Sequence, residues 1–129
     1  MTNLAIDGFE ELSQQQMFDM AAAHLLQTGK RSYCQAIQNC SYAGSGCAAA
    51  VFLKEDARED ADDDGSWGNL VFNNRVPKHN SAFVAELQNA HDKSSDDDFL
   101  VTWKPKMLAL AERFELDPSI LNKDFTDGN

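Results

Sequence analysis

Apolar residues along this chain recur mostly at helical spacing, three and four positions apart, and only briefly in alternation. Met17, Met20, Ala21, His24 and Leu25 make one apolar face. Ser13 and Gln16 precede it with the spacing of a capping box, in which each side chain satisfies a free backbone N–H. Gly29 suits the end of that helix, and Lys30 and Arg31 suit its negative pole. A second helix is expected after Pro77, with Asn80 or Ser81 as its cap. Its face is Phe83, Val84, Leu87, Ala90 and His91. A third is expected near Thr102, because Pro105 is tolerated best in a first turn. Trp103, Met107, Leu110 and Phe114 form its inward stripe. Asp117-Pro118 reads as a cap and a first helical residue for a short last helix holding Ile120, Leu121 and Phe125.

The middle of the chain is less regular. Tyr33, Ile37, Cys40 and Tyr42 alternate loosely with polar residues, which reads as one or two short strands or a loop ending at Gly44-Ser45-Gly46. The alanines after it predict a short buried helix from Cys47 to about Asp56. EDAREDADDD and Gly65-Ser66 read as an exposed loop. Leu70, Val71 and Phe72 predict a strand, closed by an Asn73-Asn74 turn. The expected fold is mainly α (α+β). It is a compact helical domain of four to five helices with a small β-hairpin, or two to three short strands, in the middle. Residues 1–12 are expected to pack loosely, 13–125 to form a single globular domain and 126–129 to be a tail.

Composition adds little to that outline. With 129 residues, 43% hydrophobic and 25% charged, the chain fits one core. Its longest apolar run, Cys47 to Leu53, is far short of a membrane span. The start of the chain, MTNLAIDGFEEL, has no basic or apolar leader, so a cytoplasmic protein with reduced cysteines is expected.

Charge changes the picture more. The formal net charge is −10, from 21 acids and 11 bases. EDAREDADDD (55–64) holds seven acids and one Arg, and DKSSDDD (92–98) holds four acids and one Lys, so these runs contribute −6 and −3. Direct nucleic-acid or anionic-membrane binding needs a basic surface, and this chain lacks that bias. A basic protein partner suits it instead. The plain alternative is a pair of solvated loops that confer solubility.

Candidate chemistry is thin. The cysteines, Cys34, Cys40 and Cys47, have C-x5-C-x6-C spacing, without the close pair that lets one turn offer two thiolates to zinc. AGSGCAAA lacks the Lys and the length of a phosphate-binding loop. DADDDG lacks the alternating register and distal Glu of a calcium loop. No metal or cofactor is expected. MLALAERFELDPSILNKDF has the outline of a helix-turn-helix, but its second helix offers only Asn122 and Lys123 to bases, against nearby Asp124 and Asp127. Cys47 after a glycine turn could be a thiolate nucleophile with His91 as its base. Against this, His91 faces the core by periodicity, and Asp92 points about 100° away from it on a helix.

The order of several short motifs is also informative. AAAHLLQTGKRS is followed by C-x-Y, a glycine turn and Cys-Ala, then by LQNAHD, a Trp and LALAERFEL. This order resembles a family of small proteins found in phages and prophages of bacteria, over roughly residues 17–116. In that family the segment after the turn often reads C-A-x-G-C-L-I-P-D. Here Cys47 to Leu53 lacks its second glycine and second cysteine, while Cys40, Cys47, His91 and Asp92 fall on matching positions. The resemblance implies a small accessory protein of a mobile element, acting in the bacterial cytoplasm by binding a host protein.

The expected function is therefore an acidic, non-enzymatic inhibitor of a host nucleic-acid-handling defence complex, of anti-CRISPR or anti-restriction type, mimicking nucleic-acid charge. Its expected partner-binding residues are Glu55, Asp56, Glu59, Asp60, Asp62, Asp63, Asp64, Asp96, Asp97 and Asp98, with Trp67 and Phe99 as apolar anchors. The alternatives are a cysteine-dependent hydrolase using Cys47 and His91, and a structural or assembly module.

Overall fold

Ser13 opens the first helix, α1 (Gln14–Thr28), as its capping box requires. The Ser13 backbone N–H donates to Gln16 Oε1 at 2.8 Å, and the Gln16 N–H donates to Ser13 Oγ at 3.1 Å. These coordinates are a computed structural model that describes residues 4–28, 33–34, 39–40, 48–64, 67–94 and 98–122. Among them, five α-helices dominate: α1, α2 (Arg58–Asp64), α3 (Trp67–Phe72), α4 (Ser81–Asp92) and α5 (Phe99–Phe114). No helix of the described residues is long and apolar enough to cross a membrane.

Most positions on the helix faces read from periodicity are buried, and Met20, His24 and Phe114 are half-buried at their edges. Met17, Ala21 and Leu25 of α1 are buried, joined by Phe18, Ala22 and Leu26. Phe83, Val84, Leu87, Ala90 and His91 of α4 are all buried, as are Trp103, Met107 and Leu110 of α5. One cluster of buried side chains runs from Leu4 to Leu121.

The β content is smaller than expected. Tyr33–Cys34 (β1) pairs antiparallel with Asn39–Cys40 (β2), Tyr33 opposite Cys40 and Cys34 opposite Asn39. That two-residue ladder and an isolated Ala5–Leu53 bridge are all that pairs among the described residues. The strand expected at Leu70 to Phe72 is helical instead. Trp67 and Leu70, three apart, both face the core there, and helix spacing outweighs the β preference of Val and Phe.

The chain start is tied in rather than loose. Leu4 N–H donates to Arg75 O, Ile6 N–H to Phe52 O, and Lys54 N–H to Leu4 O, all at 2.8–2.9 Å. Phe9, reached through a left-handed turn at Gly8, packs against Phe52 and Trp67 with ring centroids 5.8 and 5.7 Å away. His79 Nε2 donates to Leu12 O at 2.7 Å. This pairing also breaks the helix expected from Cys47 to Asp56. Leu53 is extended to bridge Ala5, so the alanines form only a 3-10 turn, Ala50–Phe52. A tertiary ladder overrides local helix preference.

Two further boundaries differ from the sequence reading. α5 starts at Phe99, which leaves Pro105 inside the helix. Pro105 and the residue whose carbonyl it leaves unbonded, Val101, both lie on the exposed side, where water can meet that carbonyl. The last helix is a single 3-10 turn, Ser119–Asn122, with Asp117 as its cap. The Ser119 N–H donates to Asp117 Oδ1 at 3.0 Å. Phe125 and the 126–129 tail lie outside the described residues.

Candidate functional site

The acidic run expected as a loop folds as helix. Glu55–Ala57 form a 3-10 turn that continues into α2. Ala57 and Ala61, four residues apart, are 8% and 0% exposed and dock this helix on the core. With the inward positions filled by alanine, the acids take the outside. Glu55, Asp56, Glu59 and Asp60 are exposed, and Asp62 is half-buried. Asp63 and Asp64 complete the helix backbone, but their side chains lie outside the description.

Arg75 braces this surface. Arg75 Nη2 stands 2.6 Å from Asp60 Oδ2. The Arg75 backbone N–H donates to Leu70 O, and its carbonyl accepts from Leu4 N–H. Arg75 thus joins α2 to the end of α3 and to the chain start. The sequence reading missed it. The i, i+4 alanines inside EDAREDADDD were the available sign that the run is amphipathic rather than a loop.

The acids are arranged unevenly with respect to the helix dipole. Glu59 and Asp60 lie in the first turn of α2, near its positive pole. Asp62, Asp63 and Asp64 lie at its C-terminal end, where negative charge is unfavourable.

The other expected contact residues divide. Asp98 is exposed at the N-cap of α5, whereas Asp96 and Asp97 lie outside the described residues. Trp67 and Phe99, expected as surface anchors, are 1% and 2% exposed. Trp67 belongs to the Phe9–Phe52 cluster. Phe99 stacks on Trp103 with centroids 5.7 Å apart. Both are core residues, which removes them from any contact surface of this fold. Helical spacing gave the reason in advance, because Trp67 precedes Leu70 by three and Phe99 precedes Trp103 by four.

The histidine also differs from expectation. His91 is wholly buried, as its periodicity required, yet its Nδ1 lies 2.8 Å from Asp92 Oδ1. The two residues close α4, where no following helical turn holds the Asp92 side chain outward. An ionised carboxylate only accepts, so Nδ1 carries the proton and donates it to Asp92. Phe99 meets the imidazole edge-on, centroids 5.6 Å apart. Cys47, the other half of the hydrolase alternative, lies outside the described residues. Just after it, Ala48 and Ala49 are buried, and the Ala49 N–H donates at 3.0 Å to Oε1 of buried Gln88, one turn before His91.

Among the described residues, no three His, Cys, Asp or Glu side chains converge as a metal site requires. Comparison with protein-family models, curated proteins and solved structures finds no match to this chain.

Proposed function

We propose that this protein is a non-enzymatic binding protein that places an acidic helix on the basic, nucleic-acid-binding surface of a partner. The observation that carries this reading is the burial of Ala57 and Ala61, which fixes the acid-rich segment as helix with Glu55, Asp56, Glu59 and Asp60 outward. A fixed row of carboxylates matches a surface built for phosphates better than a solvated loop does, because its charges need no ordering on contact. The resemblance to phage and prophage proteins makes a bacterial defence complex, of CRISPR or restriction type, the partner class we favour.

Capture from bacterial lysate tests the reading, with the whole chain as bait. A stoichiometric partner that excess duplex DNA displaces supports it. A partner that DNA leaves in place, or no partner at all, contradicts it.

A second reading, a cysteine-dependent hydrolase, is favoured by one contact. The His91–Asp92 bond is the kind that orients a catalytic base. The test is thiol reactivity. A Cys47 that ignores iodoacetamide near neutral pH in the folded protein ends this reading.

A further inference from the structure

The outer edge between α4 and α5 carries the opposite polarity to α2. These helices run antiparallel, since Glu86 pairs with Arg113 at 2.7 Å and the Phe83 and Phe114 rings meet at 5.0 Å. Between them lies a groove of about 250 Å3. Ala90, Ala109 and Leu110 form its floor, Lys93 and Lys106 flank one end, and the Glu86–Arg113 pair closes the other. On a chain of net charge −10, α5 itself is positive, with Lys104, Lys106 and Arg113 against Glu112 alone. Its solvent side is also apolar. Val101 is 72% and Leu108 49% exposed, with Pro105 between them on the same face.

A complementary feature lies at the end of α3. Phe72, the last residue of α3, is 84% exposed, the highest value among the large hydrophobics described. Three residues later, Arg75 holds Asp60 of the acidic helix. The exposed ring and the residue that pairs with the acidic helix therefore belong to one short stretch of chain at the end of α3.

We infer that this corner of one molecule docks into the α4/α5 groove of a second copy. Phe72 covers the Ala90–Ala109–Leu110 floor, and α2 carboxylates meet Lys93 and Lys106. A corner and a groove are different surfaces, so the contact is heterologous. The pair keeps one unused corner on one molecule and one unused groove on the other, and assembly continues beyond the dimer into a ring or an open chain. Molecules of like net charge repel at long range. At physiological salt the screening length is about 8 Å, so that repulsion fades while pairs in contact persist. The inference does not rest on a host partner. It adds that assembly hides α2 and dilution exposes it.

Sedimentation velocity on the full chain at physiological salt tests this, from micromolar to near-millimolar protein. The sedimentation coefficient is expected to climb with concentration past the dimer value. Phe72→Ser, which keeps the groove, and Lys93→Glu/Lys106→Glu, which keeps the corner, are each expected to stay monomeric. Mixed in equal amounts, they are expected to form one-to-one dimers and nothing larger, because only one corner–groove contact is then available. That mixing result also shows that both variants are folded. Wild-type protein that stays monomeric throughout overturns the inference. So does assembly that survives either variant, or a mixture that stays monomeric.

Discussion

Asp92 Oδ1 lies 2.8 Å from Nδ1 of His91, although only the histidine of this neighbouring pair is buried. The bond satisfies a ring N–H that would otherwise face the core at the end of α4. Asp92→Ala removes that acceptor and is expected to cost about 1–3 kcal/mol. Chemical denaturation should show a lower midpoint with an unchanged slope. Asp92→Asn keeps an acceptor oxygen and should cost clearly less. Equal midpoints for Asp92→Ala and wild type would mean that the contact contributes nothing.

Ala61 is wholly buried in the middle of the acidic helix. Ala61→Glu puts an unpaired carboxylate and extra volume into the core, and should destabilise by at least about 2 kcal/mol. Asp56→Ala, on the exposed side, should stay within about 0.5 kcal/mol of wild type. Thermal unfolding of the two variants checks the inward and outward assignment. Similar effects would mean that the segment is a loop after all.

What the sequence disclosed and what it concealed have the same physical root. α1 and α4 are legible because their faces repeat over three turns or more, and at α1 a capping box also marks the start, whereas Asn80 makes no cap bond to α4. α2 and α3, with seven and six residues, are too short for periodicity to outvote composition. A run of seven acids reads as solvent, and Leu-Val-Phe reads as strand, until the buried partners are known. The Ala50 segment needed knowledge of Leu4 to Ile6, nearly fifty residues away, because only that pairing explains an extended Leu53. Pro105 misplaced the start of α5, since exposure of the freed carbonyl is a tertiary fact. At the site, Glu55, Asp56, Glu59 and Asp60 are exposed, whereas the two aromatic anchors are core residues. The Trp67–Leu70 and Phe99–Trp103 spacings already pointed both rings inward.

Gln15 holds the C-terminal turn to the first helix. Its Nε2 donates to Asp117 O at 3.0 Å, and its Oε1 accepts from the Asp117 N–H at 2.8 Å. Gln15→Ala removes both bonds. Because the site is exposed, water replaces them in part, and the expected loss is about 1 kcal/mol. Limited proteolysis should then cut beyond Phe114 faster than in wild type, with the rest of the chain unaffected.

The most direct measurement of the central claim uses Asp62→Lys/Asp63→Lys/Asp64→Lys. These changes reverse the charge at the C-terminal end of α2, and circular dichroism should show the variant still helical. Its affinity for the captured partner, measured by titration calorimetry at low salt beside wild type, should nevertheless be lost. A variant that is folded and unable to bind is what an acidic helix serving as the contact surface predicts. Binding that survives the reversal unaltered at low salt contradicts it.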